Sequence, residues 1–168
     1  MKFIRVIFTA LILFTSSPAH SFAIKLNEPQ INGLMAAYFP VAFSYEQADI
    51  QLTNASITVK GHTKRLQVNT DIKATQANDF VQGTVAIDGE IAYDKNTHKL
   101  HIIEPRLIHA NINDSSFKKQ DINSWLQKAF NQALPVIVLL DFKKLNFQGL
   151  TIQPNRIEVL ENSVLIEI

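Results

Sequence analysis

The stretch Phe80-Val81-Gln82-Gly83-Thr84-Val85-Ala86-Ile87-Asp88-Gly89-Glu90-Ile91-Ala92-Tyr93 decides the fold. Val81, Gly83, Val85, Ile87, Gly89, Ile91 and Tyr93 fall on one face, and Gln82, Thr84, Asp88 and Glu90 on the other. Alternation of this kind marks a β-strand with one buried side. The run is far longer than the usual strand of about five or six residues. A strand that long must coil rather than lie flat. Gly83 and Gly89 on the inward face remove side-chain bulk, so the strand can bend or another element can approach closely.

The pattern continues on both sides. After an Asp94-Lys95-Asn96-Thr97 turn, Leu100, Ile102, Ile108, Ala110 and Ile112 mark a second long strand. Pro105 lies inside it, which calls for an edge position or a bulge. Before the central run, Leu66, Val68, Thr70, Ile72 and Ala74 alternate with Gln67, Asn69, Asp71 and Lys73. Earlier still, Ile50 and Leu52 share a face, the alternation slips, and Ala55, Ile57 and Val59 resume it. A bulge or bend near Thr53-Asn54 absorbs that slip. Gly61-His62-Thr63 and Ala77-Asn78-Asp79 read as turns.

Two segments have helical period. Asn27-Glu28-Pro29-Gln30 reads as a capped start, with Ile31, Leu34, Met35 and Tyr38 following and Pro40 ending it. Gly33 inside that helix is unfavourable. From residue 116 to 134, Ile122, Trp125, Leu126, Ala129, Phe130, Ala133 and Leu134 form one apolar stripe. Ser115, Ser116 and Asp121 are its candidate caps, and Pro135 stops it. Residues 135–140 read as extended and apolar, 141–148 as ambiguous, and 149–153 and 156–168 as closing strands around Pro154-Asn155. The expectation is an α+β fold: a long curved antiparallel sheet wrapped around one long amphipathic helix, with a short N-terminal helix. Residues 24–168 form a single domain in this reading.

The 168 residues are 46% hydrophobic and 18% charged, which suits a globular domain and is too apolar for disorder. The absence of cysteine excludes disulfides, thiolate metal sites, cysteine nucleophiles and a lipid-anchored N-terminal cysteine. Residues 1–23 read as a signal peptide. Met1-Lys2-Phe3-Ile4-Arg5 is basic, residues 6–14 are an apolar run too short to span a bilayer, and small residues follow. Cleavage is expected after Ala23, with Ser21 the alternative and an uncleaved anchor the competing reading. Residues 1–23 hold Lys2 and Arg5 and no acid. The rest of the chain therefore keeps 14 of the 16 basic residues against 15 acids, a net charge of −1. Such a chain has no overall charge bias toward nucleic acid or anionic lipid. The chain is expected to be exported, with no transmembrane anchor after cleavage.

Several strings, in this order, resemble the YceB-like proteins, uncharacterised envelope proteins of Gram-negative bacteria. They are Asn27-Glu28-Pro29-Gln30-Ile31-Asn32, Asp49-Ile50-Gln51-Leu52-Thr53-Asn54-Ala55, the run from Val85 to Asp94, Pro135-Val136-Ile137-Val138-Leu139 and Pro154 to Ile157. The resemblance implies a fold similar to the tubular lipid-binding (BPI-like) domains, with an apolar tunnel between sheet and helix. It implies no catalytic residues and, since this chain lacks cysteine, a periplasmic location without a lipid anchor.

The residues themselves point to no reaction. Phosphate-binding loops, dinucleotide glycine patterns, nucleophile elbows and H-E-x-x-H are missing from the sequence. His101 and His109 share a strand face but stand about 26 Å apart, too far to share a metal. His98 faces the other way, and a folded-back arrangement with His62 stays open. Asp88 and Glu90, about 7 Å apart, suit hydrolysis by spacing alone, but alternating acids are common on a solvated strand. Lys118-Lys119 and Lys143-Lys144 are surface pairs, or contacts for anionic headgroups at a tunnel mouth. Ile122, Trp125, Leu126 and Phe130, facing Gly83, Val85, Ile87, Gly89 and Ile91, form either plain core or a hydrophobic groove. In the second case each buried methylene of an acyl chain contributes about 0.8 kcal/mol. The expected function is non-catalytic binding of a lipid or other elongated apolar ligand, with no cofactor or metal. The alternative is an interaction protein with a filled core. It binds an envelope protein through a strand edge or through residues 135–140.

Overall fold

The structure is a computed structural model and describes residues 22–63, 65–117, 122–144 and 153–168. Residues 1–21 of the expected signal peptide lie outside it. In chain order the elements are β1 (Ala23–Asn27), α1 (Glu28–Met35), β2 (Val41–Tyr45), β3 (Ala48–Lys60), β4 (Arg65–Gln76), β5 (Asp79–Asp94), β6 (Lys99–Ser115), α2 (Ile122–Ala133), β7 (Ile137–Asp141), β8 (Arg156–Leu160) and β9 (Ser163–Glu167). Strands β2 to β7 pair in sequence order as a six-stranded antiparallel sheet. A second sheet has the order β1-β9-β8. β1 is therefore a strand tied to the chain's far end, with Leu26 opposite Val164 and Ile24 opposite Ile166.

The alternating patterns form the strands they predict. β3 carries the bulge where the hydrophobic alternation slips: its register with β4 shifts between Thr53 and Ser56, and Asn54 has φ 52°. The extra residue lets Ile50 and Leu52 on one side and Ile57 and Val59 on the other all point inward. Pro105 sits beside a second irregularity, where the β5–β6 register shifts between Asp88 and Glu90 and Glu104 has φ 48°. The β2–β3 hairpin turns on Glu46 and Gln47, both with positive φ, as a tight two-residue hairpin requires.

The expected architecture of one long helix inside a wrapping sheet is overturned. The protein is mostly β, with a strongly curled antiparallel sheet and two short α-helices among the described residues. α2 has 12 residues, so it is about 18 Å long, whereas the 16 residues of β5 extend for about 50 Å. One helix of that length cannot cover so long an apolar face. Ser116, assigned to the helix by its sequence, instead continues the strands: its amide donates to the Phe80 carbonyl and its Oγ accepts from the Phe80 amide, both at 2.9 Å. Residues 118–121, also assigned to that helix, lie outside the described residues. So do 145–152, which include most of the expected strand 149–153.

The apolar face is covered in two halves. Trp125, Leu126, Ala129 and Phe130 of α2 pack with Ile50, Leu52, Ile72, Val81, Val85 and Ile87. At the other half, Ile31 and Met35 of α1, Val164 and Ile166 of β9 and three β7 residues pack over Ile57, Val59, Leu66, Val68, Leu100 and Ile102. The division falls at the β3 bulge, where Thr70 Oγ1 donates to the Thr53 carbonyl. The second sheet also seats on the first at Gly61, where an added Cβ would sit 2.5 Å from the Glu161 backbone nitrogen.

Candidate functional site

α1 presents three faces, and each has its own task. Its start is fixed by a capping box. Asn27 Oδ1 accepts from the Gln30 amide at 3.0 Å, and the Asn27 amide donates to Gln30 Oε1 at 2.9 Å. Ile31 and Met35, four apart, face the core. Glu28 and Asn32, also four apart, reach β3. Glu28 Oε1 accepts from the Val59 amide at 2.7 Å, and Asn32 bonds both backbone groups of Ile57. β2 covers that edge of β3 only as far as Leu52. The helix side chains complete the edge beyond it. Gln30, Gly33 and Leu34 remain for the third face.

That face lines an open groove of about 380 Å³ with Ile24 and Leu26 of β1, Leu140 of β7 and Ile166 of β9. Gln30 is the one polar side chain in this lining, and its Oε1 is held by the capping box. An added Cβ at Gly33 would meet nothing within 4 Å. Beneath the groove lies an apolar void of about 10 Å³, bordered by Ile31, Leu66, Leu100, Leu139 and Val164. Leu26, Leu34 and Leu140 border both spaces, so they are the floor of one and the roof of the other. The void is at most one water in size and offers a water no polar side chain.

The residues singled out in the sequence fall elsewhere. Trp125, Leu126 and Phe130 are buried in the α2 cluster with Val85 and Ile87, and Ile122 is partly buried against it. Tyr45 and Phe117 pack on the Trp125 ring, Phe43 meets Phe130 edge-on, and Trp125 Nε1 donates to Glu46 Oε2 at 3.1 Å. Ile91 packs in the other cluster. Gly83 and Gly89 do not open space for a ligand. A Cβ at Gly83 would collide with the Asn111 carbonyl oxygen, and one at Gly89 would collide with the Ile102 side chain. Both glycines admit the neighbouring strand at register shifts of the β5–β6 ladder. The sequence puts Leu34 on a helix, Leu140 in an extended apolar segment and Ile166 in a closing strand, but nothing local signals that β1 pairs with β9 and brings them together.

Asp88 and Glu90 are bound in ion pairs. Arg65 reaches Asp88 at 3.1 Å and Glu90 at 3.0 Å, and Arg106 grips both Asp88 oxygens at 2.9 and 3.0 Å. Burial alone would raise the Asp88 carboxyl. The hydrogen bonds from Arg106 and Arg65 outweigh it and hold the group below its ordinary value. A carboxylate held ionised by two guanidinium groups is poorly suited to act as a general acid. His98 Nδ1 shares a hydrogen bond of 3.1 Å with the Tyr93 hydroxyl. No cluster of three or more histidines and acids able to hold a metal occurs among the described residues. The side chains of His62, Lys118 and Lys119 lie outside the description. No helix among the described residues is long and apolar enough to cross a membrane.

Fold and groove together define a mostly β protein with a leucine-floored surface groove under its first helix. The chain belongs to the family described as "Protein of unknown function (DUF1439)", which matches residues 26–161. No curated protein matches it.

Proposed function

We propose that this chain is a periplasmic, non-catalytic binding protein that holds an elongated apolar ligand in the groove between α1, β1, β7 and β9. The observation that carries the reading is the groove itself. Its 380 Å³ falls within the range of about 300–1,000 Å³ common for small-molecule sites. Its lining is apolar except for Gln30. Such a surface gains affinity from desolvation and shape, with few polar contacts. The basic start and short apolar run of residues 1–23 support export, and the ordered strings quoted above support a place among the YceB-like proteins.

Native mass spectrometry of the protein purified from periplasm tests this. Wild type should carry co-purifying apolar molecules, and Gly33→Phe, which fills the groove from an open position, should carry none while keeping its fold. Equal loading of the two proteins would remove the groove as the binding site.

A second reading has its own observation. β6 pairs with β7 only from Lys99 to Ile102, and among the described residues no strand covers that edge beyond it. Ile103 and Ile108 are exposed there. This edge suits a protein partner that adds a strand. Residues 135–140 suit one less, because Ile137, Leu139 and Leu140 are buried and Val136 is the large exposed side chain. Crosslinking from position 108 in the envelope should trap a protein under this reading and none under the first.

A further inference from the structure

The groove's lining is apolar except for Gln30, and charge lies beyond it. Glu28, at the start of α1, is turned to β3 and bound to the Val59 amide. At the other end, Tyr38 follows Leu34 by about one helical turn, and Lys144 follows Leu140 by the same count. The two meet there: Lys144 Nζ lies 5.2 Å from the centre of the Tyr38 ring. Lys143 is adjacent and exposed, and Lys99 sits opposite Asp141 in the β6–β7 ladder. The acids nearby are Asp141, whose Oδ1 accepts from the Lys143 amide at 3.0 Å, and Asp94, which sits opposite Lys99 in the β5–β6 ladder. Lys99 thus lies between two carboxylates in the sheet, and Lys143 and Lys144 are the exposed cations of the cluster among the described residues. Burial raises the Tyr38 hydroxyl, and Asp141 and Lys99 act on it through space in opposite senses. All of these groups therefore share one neighbourhood around Tyr38 and Lys144, four residues beyond Leu34 and Leu140 in the chain and outside the groove's lining.

We propose that the ligand is a single-chain amphiphile with an anionic head, its chain lying over Leu26, Leu34 and Leu140 and its head at Lys143 and Lys144. This rests on the groove being the binding site. Charge complementarity sets the direction: an anionic head is attracted to the exposed pair Lys143 and Lys144. The aromatic ring under Lys144 holds the ammonium in place without neutralising it. A groove of about 380 Å³ suits one chain better than two.

Displacement of the neutral fluorophore N-phenyl-1-naphthylamine by dodecanoate and by dodecanol tests the head separately from the groove. From wild type, dodecanoate should displace the probe at about three- to tenfold lower concentration than dodecanol, the range expected of a few solvent-facing charge contacts. Lys143→Gln with Lys144→Gln should erase that advantage and leave dodecanol unchanged. Both lysines are exposed, and an unchanged Trp125 emission will show that the fold is kept. Equal displacement by the two compounds from wild type overturns the anionic head while the groove stands. Probe binding that is absent, or indifferent to Gly33→Phe, overturns the groove and the head with it.

Discussion

Asn32 holds Ile57 from both sides: its Oδ1 accepts from the Ile57 amide at 2.6 Å, and its Nδ2 donates to the Ile57 carbonyl at 3.2 Å. One side chain thereby stands in for a neighbouring strand on an edge that β2 does not reach. Both backbone groups belong to a residue only 3% exposed. Asn32→Ala should therefore cost about 1–3 kcal/mol, since buried polar groups lose their partners. Asn32→Asp, which keeps the acceptor and loses the donor, should fall between. Urea midpoints measure this, and an Asn32→Ala midpoint equal to wild type would show that the contact contributes nothing.

Asp88 predicts an acid limb. Its carboxyl lies below its ordinary value because two arginines bond it against the effect of burial. The unfolded chain lacks those partners. The stabilisation is thus fully present above the unfolded value, about pH 4, and is lost as pH falls through the depressed folded value. Asp88→Asn should be less stable than wild type at pH 7, and the gap should narrow between pH 4 and 2. Urea midpoints over that range that fall in parallel for the two proteins would contradict this.

The single tryptophan separates two places for a ligand. Trp125 is buried in the α2 cluster, bonded to Glu46 and packed against Tyr45 and Phe117. The groove belongs to the other cluster, under α1. Saturating dodecanoate should leave Trp125 emission where it is. A shift or strong quenching would move the ligand to Ile122, Trp125, Leu126 and Phe130 instead.

Strand periodicity made most of the large sheet legible, down to the bulge at Asn54 and the irregularity near Pro105. Both follow from local rules: alternation fixes which side is inward, and a slip or a proline marks where the ladder must break. The cap at Asn27 was equally local. What could not be read was long-range. Ile24 and Leu26 look like an unremarkable tail until Val164 and Ile166 are opposite them. The stripe through Trp125 gives the face of α2 but not its length against the sheet. Gly83 and Gly89 were recognised as places of close approach. Periodicity cannot say whether a ligand or a strand makes the approach, because that depends on the register of β6, which shifts at both.

The glycines give the sharpest contrast, because the same change should have opposite signs at two of them. Gly33 is a helical position whose added Cβ meets nothing. Alanine there reduces the freedom of the unfolded chain and suits the helix, so Gly33→Ala should stabilise by about 0.5–1 kcal/mol. At Gly83 the added Cβ would run into the Asn111 carbonyl oxygen and lie 2.9 Å from Ile112 Cα, both backbone atoms of the paired strand. Backbone cannot rotate away as a side chain can, so β5 and β6 must part locally. Gly83→Ala should cost about 1–3 kcal/mol or more. Urea midpoints of the two variants should lie on either side of wild type. If Gly83→Ala is neutral, space exists beside β5 for a ligand between that strand and α2. If Gly33→Ala is destabilising, that face of α1 is already filled and the groove is not open to a chain.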